Sequence, residues 1–445
     1  MRFVNIILIS ILLIGCDVEK DEASFSFKDP SSSYITKEKD LSLFVTTDWH
    51  YLADSLTDNG RAFQKYLESG DGKQLQDMNA ILDTFAFEVN QMKPDAVIIS
   101  GDLTNNGEKA SHEAIAKRLA SLENNGTNVY VIPGNHDINN PWARKFSGSE
   151  QIKVDSIKAS DFSSIYHEFG YKKAISKDPI SLSYLTAPSE NVWLLMLDTN
   201  HYKNNKNTGV PELNGSLSTQ TIEWVKACYN YAEKNNAQVI PVMHHNLAEH
   251  NQAFHDGYTL DNKEQATELF HQYATPIVLS GHIHAQNIHK TKDIYDIATS
   301  GLSVYPQQYG VVNYHATRQN LTYETKRLDI ESWAKKNDKK EKKLLAFDSY
   351  SASYFSKFAY HLAYNSLKET SLSLKQKEEL ANRMIVMNQR FFSGTEYLNQ
   401  SDLELDQEEK EWEKIKDTFL HRYMKSIKTD NNQLDNKLFI DFSKK

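Results

Sequence analysis

The chain has 445 residues, of which 40% are hydrophobic and 11% aromatic, and its formal net charge is −9 at pH 7. This composition excludes an intrinsically disordered chain, and the length favours two domains with short appendages. The negative charge argues against a surface that holds long nucleic acids, because such surfaces carry a net basic field. The sequence identifies no protein partner.

Residues 1–16 differ in character from the rest of the chain. Arg2 and the amino terminus give a positive start, Val4 to Ile14 is mostly apolar, and small residues follow, which is the layout of a secretory signal. The apolar run is shorter than the about 20 residues that a spanning helix needs. The segment LIGC, which ends at Cys16, resembles the lipobox of bacterial lipoproteins, in which the cysteine is lipidated. We therefore predict an exported lipoprotein, attached through a lipid anchor on Cys16 to the outer face of a bacterial cell membrane; an ordinary cleaved signal or a short uncleaved anchor is the alternative.

The remaining chain divides into a polar stretch, an α/β region and a helical region. Residues 17–40 are polar and serine-containing, which predicts a tether. Over residues 41–331 short apolar runs alternate with helical patterns, which predicts an α/β fold around largely buried sheet. Residues 332–445 are predicted to form an all-helical C-terminal domain. The predicted strands are LSLFV, DAVIIS, NVYVIP, VWLLML, AQVIPVM and PIVLS, and the predicted helices cover Gln76 to Met92, Glu108 to Glu123, Ser218 to Asn235 and Asn262 to Tyr273.

Metal-capable side chains follow five of these predicted strands, in the stretches TTDWH, SGDLTNNG, PGNHD, VMHHN and SGHIH. In open α/β sheets, sites assemble in the crevice beyond the carboxyl ends of the strands. Imidazoles, carboxylates and an amide oxygen, without a thiolate, are typical of a mixed nitrogen and oxygen site for Mn, Fe, Zn or Co. The candidate ligands are too many for one ion, so we expect two divalent metal ions.

Taken together and in order, the five stretches resemble the signature of the calcineurin-like metallophosphoesterases, over roughly Leu41 to Leu328. The resemblance implies a four-layer αββα sandwich of two mixed sheets, with the helical domain packed alongside. It implies that one metal is held by Asp48, His50 and His284, that Asp102 bridges both metals, and that the second metal is held by Asn135, His244 and His282.

The same resemblance implies that His136 is not a ligand but faces the substrate phosphate and stabilises the transition state, with Asp137 orienting it. The choice between His244 and His245 stays open, because the chain has HHNL where the family often has a proline two residues after the histidine. The implied reaction is hydrolysis of a phosphoester by attack of a metal-bound hydroxide. Two divalent ions would also explain how an acidic protein holds a phosphate.

The substrate is less strongly indicated. A helical tail, export and the GDLTxxGE form of the second stretch, Gly101 to Glu108, resemble the bacterial cyclic-nucleotide phosphodiesterases, so we expect a small phosphodiester, such as a cyclic nucleotide. A phosphomonoesterase or nucleotidase is the alternative, and a non-catalytic metal-binding surface lipoprotein is a third hypothesis. Tyr305 or Tyr309 is a candidate for stacking on a base, with ordinary packing as the alternative. His250 and His255 lie in the loop after the fourth stretch, and we expect them either to be exposed to solvent or to reach the substrate.

Overall fold

The computed structural model describes residues 25–36, 40–254, 256–396, 412–428 and 434–442. The predicted signal with Cys16, and His255, lie outside the described residues. Among the residues that the structure describes, we find no helix that combines the length and the apolar character needed to cross a membrane.

Two large mixed sheets form the centre of the molecule. In the first sheet three parallel strands lie side by side: β1 (Leu41–Thr46), β2 (Ala96–Ser100) and β3 (Asn128–Ile132). Beyond β1 the sheet continues with three antiparallel strands: β13 (Gln308–His315), β14 (Asn320–Arg327) and β15 (Lys437–Asp441).

The second sheet has four parallel strands at its centre: β8 (Val192–Leu197), β9 (Gln238–Met243), β10 (Ile277–Ser280) and β12 (Ile294–Ala298). Its edges are antiparallel and are formed by β6 (Ser176–Lys177), β7 (Tyr184–Thr186) and β11 (Asn287–Thr291). A separate hairpin consists of β4 (Arg144–Ser147) and β5 (Glu150–Lys153).

The helices of the α/β region are α1 (Arg61–Glu68), α2 (Met78–Met92), α3 (Lys109–Asn124), α4 (Ala159–Ile165), α5 (Asn205–Thr208), α6 (Thr219–Lys234) and α7 (Lys263–Gln272). Those that follow it are α8 (Ile330–Lys336), α9 (Lys342–Leu345), α10 (Phe347–Leu367), α11 (Leu374–Ser393) and α12 (Phe419–Lys428). All six predicted strands and all four predicted helices of the α/β region form, with ends that differ from the prediction by at most a few residues.

The side chains of β8 show how the layers are stacked. Leu194 and Met196 lie in the core that the two sheets share, whereas Trp193 and Leu195 lie in a second core with α6 and α7. Burial on both faces explains why this strand is an uninterrupted apolar run. On the far side of the first sheet, α2 and α3 cover the strands with buried aliphatic and aromatic side chains. The predicted four-layer αββα sandwich is confirmed.

The C-terminal region packs against the second sheet. Apolar side chains of α10, α11 and α12 form a third core, which also includes Ile283 and Ala298 from the sandwich. One strand, β15, lies within the range 332–445 that was predicted to be all-helical, and it pairs with β14 along five residues from Lys437 to Asp441. Its sequence, KLFID, is short and half polar, so local pattern does not distinguish it from a helix end. The C-terminal region is otherwise helical among the described residues.

Residues 25–36 do not behave as the predicted tether. The backbone N–H of Lys28 donates to the carbonyl of Ile175 at 2.8 Å, and that of Ile35 donates to Pro188 at 2.9 Å. Phe27 stacks on Tyr231 of α6 with ring centroids 4.5 Å apart. The two backbone hydrogen bonds and the Phe27 ring fasten this stretch to the second sheet and to α6.

Candidate metal centre

The five stretches meet where the strands of both sheets end. Asp48 and His50 follow β1, Asp102 follows β2, Asn135 and His136 follow β3, His244 follows β9, and His282 and His284 follow β10. Backbone hydrogen bonds join the loops: Asp48 N–H donates to Gly101 at 3.1 Å, and Gly281 N–H donates to His244 at 3.0 Å. The crevice between the two sheets therefore receives side chains from both of them.

Five of these residues have a left-handed backbone, with φ of 52° at Asp48, 44° at His50, 50° at Asp102, 68° at His282 and 60° at His284. Each such residue costs roughly 1–3 kcal/mol and persists only where its surroundings hold it in place. The chain also comes very close at Gly134, where an added Cβ would collide with the Asp102 carboxylate. The loops are thus strained and tightly packed to bring their side chains to one point.

The first donor group consists of Asp48, His50, Asp102 and His284. Nε2 of His50 and Nε2 of His284 are 3.1 Å apart, and Asp48 Oδ1 lies 3.3 Å from His284 Nε2 and 3.7 Å from His50 Nε2. Ligands at about 2.1 Å from a tetrahedral ion are about 3.4 Å apart, so this spacing matches a metal shell. Asp48 Oδ1 is buried without a hydrogen-bond donor, which a cation would satisfy.

The second donor group consists of Asp102, His244 and His282, with Asn135 beside it. Asp102 Oδ2 lies 3.5 Å from His244 Nε2 and 3.6 Å from His50 Nε2, so one oxygen faces both groups. Asn135 Oδ1 is 3.1 Å from His244 Nε2. The Nε2 of His282 contacts the carbonyl oxygen of Gly257 at 2.9 Å, which leaves Nδ1 for a metal. The residues fit two ions that share Asp102.

The structure distinguishes His244 from His245. His244 donates from Nδ1 to the Ser100 carbonyl at 2.9 Å and directs Nε2 into the donor group. Both nitrogens of His245 are occupied elsewhere, Nδ1 by the Thr199 hydroxyl at 2.7 Å and Nε2 by the Leu213 carbonyl at 2.9 Å. His245 therefore has no nitrogen to offer a metal.

The charges of the site call for a cation. Burial lowers the pKa of His50 and of His282 well below the usual value, so both imidazoles are neutral, which is the form that binds metals. Burial opposes the charge of Asp102, but His244 and His136 outweigh it and hold the pKa of Asp102 well below its usual range. Burial likewise opposes the charge of His244, and Asp102 overcomes this and raises the pKa of His244 to about 9. The Asp102 carboxylate thus stabilises a positive charge on His244, at the place where the side chains of the second donor group meet.

His136 lies beside the site but belongs to neither group of candidate metal donors. Its Nδ1 lies 2.7 Å from the carbonyl oxygen of Asn105, and its ring meets the His50 ring edge to face at 4.8 Å. The predicted orientation of His136 by Asp137 is wrong. The Asp137 carboxylate instead accepts hydrogen bonds from the backbone N–H groups of Gly134, Leu103 and Thr104 and from the Thr104 hydroxyl, at 2.8–3.1 Å. Asp137 therefore fixes the loops, and the Asn105 carbonyl fixes the imidazole.

Three further expectations need correction. Tyr309 is fully buried, packs against Phe44 and Phe85, and donates to Glu88 at 2.8 Å, so it cannot stack on a substrate base. Tyr305 stacks on Phe355 of α10 at 5.7 Å, with the Arg327 guanidinium 5.2 Å from its ring centre, so packing accounts for it. His250 is buried against Asp296 at 3.1 Å and is neither exposed nor directed at the metal centre.

The C-terminal region reaches the metal centre through the loop after β9. Phe254 in that loop packs edge to face on Phe419 and Tyr423 of α12, at 5.2 and 5.0 Å. A few residues on, the Tyr258 ring lies 5.0 Å from the ring of His282, and the Gly257 carbonyl contacts the same imidazole. The C-terminal helices therefore contact the loop that positions His282, a candidate metal donor, and the sequence left this role of the helices undetermined.

Sequence reasoning missed two charged residues near the donors, Asp71 and Lys73. They form an ion pair of 3.0 Å, and the Lys73 side chain is 12% exposed. They lie in a loop between α1 and α2 with no strand before it, so strand-end reasoning could not identify them.

The chain was also compared with known proteins. The profile of the family described as "Calcineurin-like phosphoesterase" matches residues 41–286, and the profile described as "C-terminal domain of cyclic nucleotide phosphodiesterase" matches residues 329–433. A curated protein from Ruthia magnifica subsp. Calyptogena magnifica, named "Probable cyclic nucleotide phosphodiesterase", is 24% identical over 191 residues, which is 43% of this chain. The match spans 62% of that relative's length.

Similar solved structures include a dimetal phosphatase from Danio rerio, with 13% identity, 64% of this chain and 96% of that chain covered, and a TM-score of 0.47. Another is the anchor of the inner membrane complex of Plasmodium, with 10% identity, 66% and 86% of the two chains covered, and a TM-score of 0.37.

Proposed function

Because the chain belongs to the calcineurin-like phosphoesterase family, whose profile covers residues 41–286, we propose that it is a binuclear metal-dependent phosphodiesterase acting on a small phosphodiester such as a cyclic nucleotide. The observation that carries this proposal is the placement of Asp102 Oδ2 between His50 and His244, at 3.6 and 3.5 Å. A bridging carboxylate has no purpose in a site for one ion. It supports two adjacent metals, which is the arrangement used to hydrolyse phosphoesters.

In this proposal each of the two donor groups described above holds one metal ion. Asp48, His50 and His284 hold one ion, and Asn135, His244 and His282 hold the other, with Asp102 shared between them. When bound, the ions supply an activated water molecule and positive charge for the phosphate. The donor types restrict the two ions to Mn, Fe, Zn or Co, and metal-loading experiments are needed to choose among these four.

His136 has a separate task. Because its Nδ1 donates to the Asn105 carbonyl at 2.7 Å, proton exchange with a substrate takes place at Nε2. Burial lowers the pKa of His136, so Nε2 carries no proton in the free protein; once Nε2 has taken up a proton, that proton stabilises the charge that develops on the phosphoryl group and is then available to the leaving oxygen. Six of the seven proposed donors are buried, from 0% exposure at His50 to 5% at His282, whereas the His284 side chain is 15% exposed.

The preference for a diester is supported by the match of residues 329–433 to a domain of cyclic nucleotide phosphodiesterases, and by the name of the curated relative. Since that relative is matched over only part of its length, its substrate is a guide to which esters to assay first.

The test uses a form that begins after Cys16, loaded with manganese. We would measure hydrolysis of 3′,5′- and 2′,3′-cyclic nucleotides, of nucleotide monophosphates, and of bis(p-nitrophenyl) phosphate beside p-nitrophenyl phosphate, with Asp102→Ala as the blank. The expected result is metal-dependent cleavage of diesters faster than monoesters. Phosphate release from monoesters alone would replace the diesterase proposal with a nucleotidase. Metal binding without hydrolysis of any ester, across several metals, would favour a non-catalytic metal-binding lipoprotein.

We further propose that the protein is exported and carries its lipid on Cys16. The support is the charged start, the apolar run and the LIGC segment of residues 1–16. Metabolic labelling of the expressed full chain with a fatty acid is expected to mark the wild type and not Cys16→Ser. Equal labelling of both would reject the lipid anchor.

A further inference from the structure

The loop between α1 and α2 brings a cation to the metal centre. The charge of Lys73 acts, together with burial, to lower the pKa of both His50 and His136, and Asp102 acts in turn on Lys73. Lys73 is therefore within electrostatic range of the Asp102 carboxylate and of the His136 imidazole. Its side chain is 12% exposed and is paired with Asp71, as a lysine that is mostly removed from solvent generally is.

The backbone next to Lys73 is hydrogen-bonded into the metal loops. Gln74 N–H donates to the carbonyl of Ser303 at 2.8 Å, and the Ser303 hydroxyl donates to the carbonyl of Asp48 at 2.8 Å. Two hydrogen bonds thus connect the backbone of the residue after Lys73 with Asp48, and the loop that carries Lys73 is fixed to the metal loops.

The C-terminal helix α10 holds the loop on both sides of Lys73. Ser351 of α10 places its hydroxyl 2.5 Å from Gln74 Oε1, which also accepts from Gln307 at 2.8 Å. On the other side, Gly72 has a φ of +86° and an added Cβ would lie 3.1 Å from the rings of Phe355 and Phe358. The buried side chains of Gln74 and Gln307 and the aromatic rings beside Gly72 therefore hold this loop in one position.

The pairing of Lys73 leaves hydrogen-bonding capacity for a ligand. Within the described ranges, Asp71 is the one carboxylate in an ion pair with Lys73, at 3.0 Å, and the Asp71 side chain is 50% exposed. An ammonium group has three N–H donors, of which this pair uses one. The remaining donors are available for an anion bound at the metal centre, and Asp71 keeps the ammonium in place when no anion is bound.

We propose that Lys73 binds a non-bridging phosphate oxygen of the substrate at the metal centre and is a specificity residue for anionic esters. This inference rests on the proposed function for its substrate, but its first prediction is binding of the phosphate group itself. A charged hydrogen bond of this kind changes affinity by about 10- to 100-fold. The effect is larger for a dianionic phosphate than for a monoanionic diester, because the Coulomb attraction scales with the ligand charge.

The experiment compares Lys73→Met, Lys73→Gln and Lys73→Arg in the metal-loaded protein. Lys357→Met is the matched control, because Lys357 is an exposed lysine of α10. The measurements are the dissociation constant for inorganic phosphate by titration calorimetry, kcat and KM for the best ester, metal content and Tm. We expect the phosphate dissociation constant and KM to rise about 10- to 100-fold in Lys73→Met and Lys73→Gln, with wild-type metal content. Lys73→Arg restores most of the loss, and Lys357→Met matches the wild type.

Wild-type phosphate affinity in Lys73→Met and Lys73→Gln would overturn the inference. So would a loss of phosphate affinity that accompanies loss of metal or of stability in both variants, since Lys73 would then be structural. If the wild type hydrolyses no ester while Lys73→Met still weakens phosphate binding, the proposed function fails and the inference about Lys73 stands.

Discussion

The carbonyl oxygen of Asn105 lies 2.7 Å from Nδ1 of His136, and this contact occupies one of the two ring nitrogens and leaves Nε2 for a ligand. Asn105 follows β2 and His136 follows β3, so two neighbouring parallel strands fix the ring between them. A backbone carbonyl cannot be removed by substituting a side chain. The orientation of His136 is therefore a property of the loop geometry and not of a partner side chain.

Replacing His136 is expected to separate catalysis from metal binding. His136→Ala removes a proton donor that is not a ligand, so turnover should fall by about 10²- to 10⁴-fold while metal content stays at the wild-type level. The loss should be greatest for esters with poor leaving groups, which depend most on protonation. Steady-state kinetics on a series of leaving groups, with metal analysis of the same samples, provides the check. Unimpaired turnover of a poor-leaving-group ester would contradict the assigned role.

Replacing Asp102 is expected to remove both metals. Asp102→Ala deletes the one oxygen that faces both His50 and His244, so each donor group loses a carboxylate at once. Metal analysis after gel filtration should find neither ion and no turnover. Asp198→Ala serves as the control, since Asp198 is a buried aspartate whose carboxylate bonds to Asn200 and Tyr202 away from the donor groups. Retention of one tightly bound ion in Asp102→Ala would show that Asp102 does not bridge.

The adjacent histidines allow a matched comparison. His244→Ala should lose the metal of the second donor group. His245→Ala should keep both metals but unfold more easily, by about 1–3 kcal/mol, because Thr199 and Leu213 lose their buried partner. Metal analysis and urea unfolding of both variants measure this. Loss of metal from His245→Ala with a normal free energy of unfolding would reverse the assignment.

The buried pair of His250 and Asp296 gives a prediction about pH. Burial opposes the His250 charge, but Asp296 and Asn287 outweigh it and raise the pKa of His250 above its usual value. A raised pKa means that the folded state holds this proton more tightly than the unfolded state. The resulting stability is fully present below about pH 6.5 and is lost as the pH rises through the folded pKa.

His250→Gln should therefore reduce the free energy of unfolding by roughly 1–3 kcal/mol at pH 6, and by less at pH values above the folded pKa. Urea titrations of wild type and variant at a series of pH values test this, and the subtraction removes contributions from other histidines. A difference between the two proteins that does not change with pH would mean that the pKa of His250 is the same in the folded and unfolded states, which would contradict this prediction.

Sequence pattern was sufficient for the strands and helices of the α/β region, because the strands are buried on both faces and the helices are amphipathic; the four-layer sandwich was implied by the resemblance to the calcineurin-like metallophosphoesterases. The strand pattern also located the metal-capable side chains, since each follows a strand that the pattern identifies, and the resemblance assigned them to two metals. Asp71 and Lys73 could not be placed near the site from the sequence, because contacts with Ser351 and Phe355, far along the chain, determine where their loop lies. The choice for Tyr309 between base stacking and packing stays open in the sequence, because a loop sequence does not reveal that its ring enters the core beside Phe44.

The strand β15 has a consequence for how the molecule is made. It is synthesised after every other described strand, yet it pairs with β14 at the edge of the first sheet. Until it arrives, β14 presents unpaired N–H and C=O groups to the solvent, and such an edge is a template for aggregation. A chain that ends before residue 437 would contain every candidate metal donor but would leave the edge of β14 unpaired. Such a truncated chain should therefore aggregate and should not give a smaller soluble, active protein.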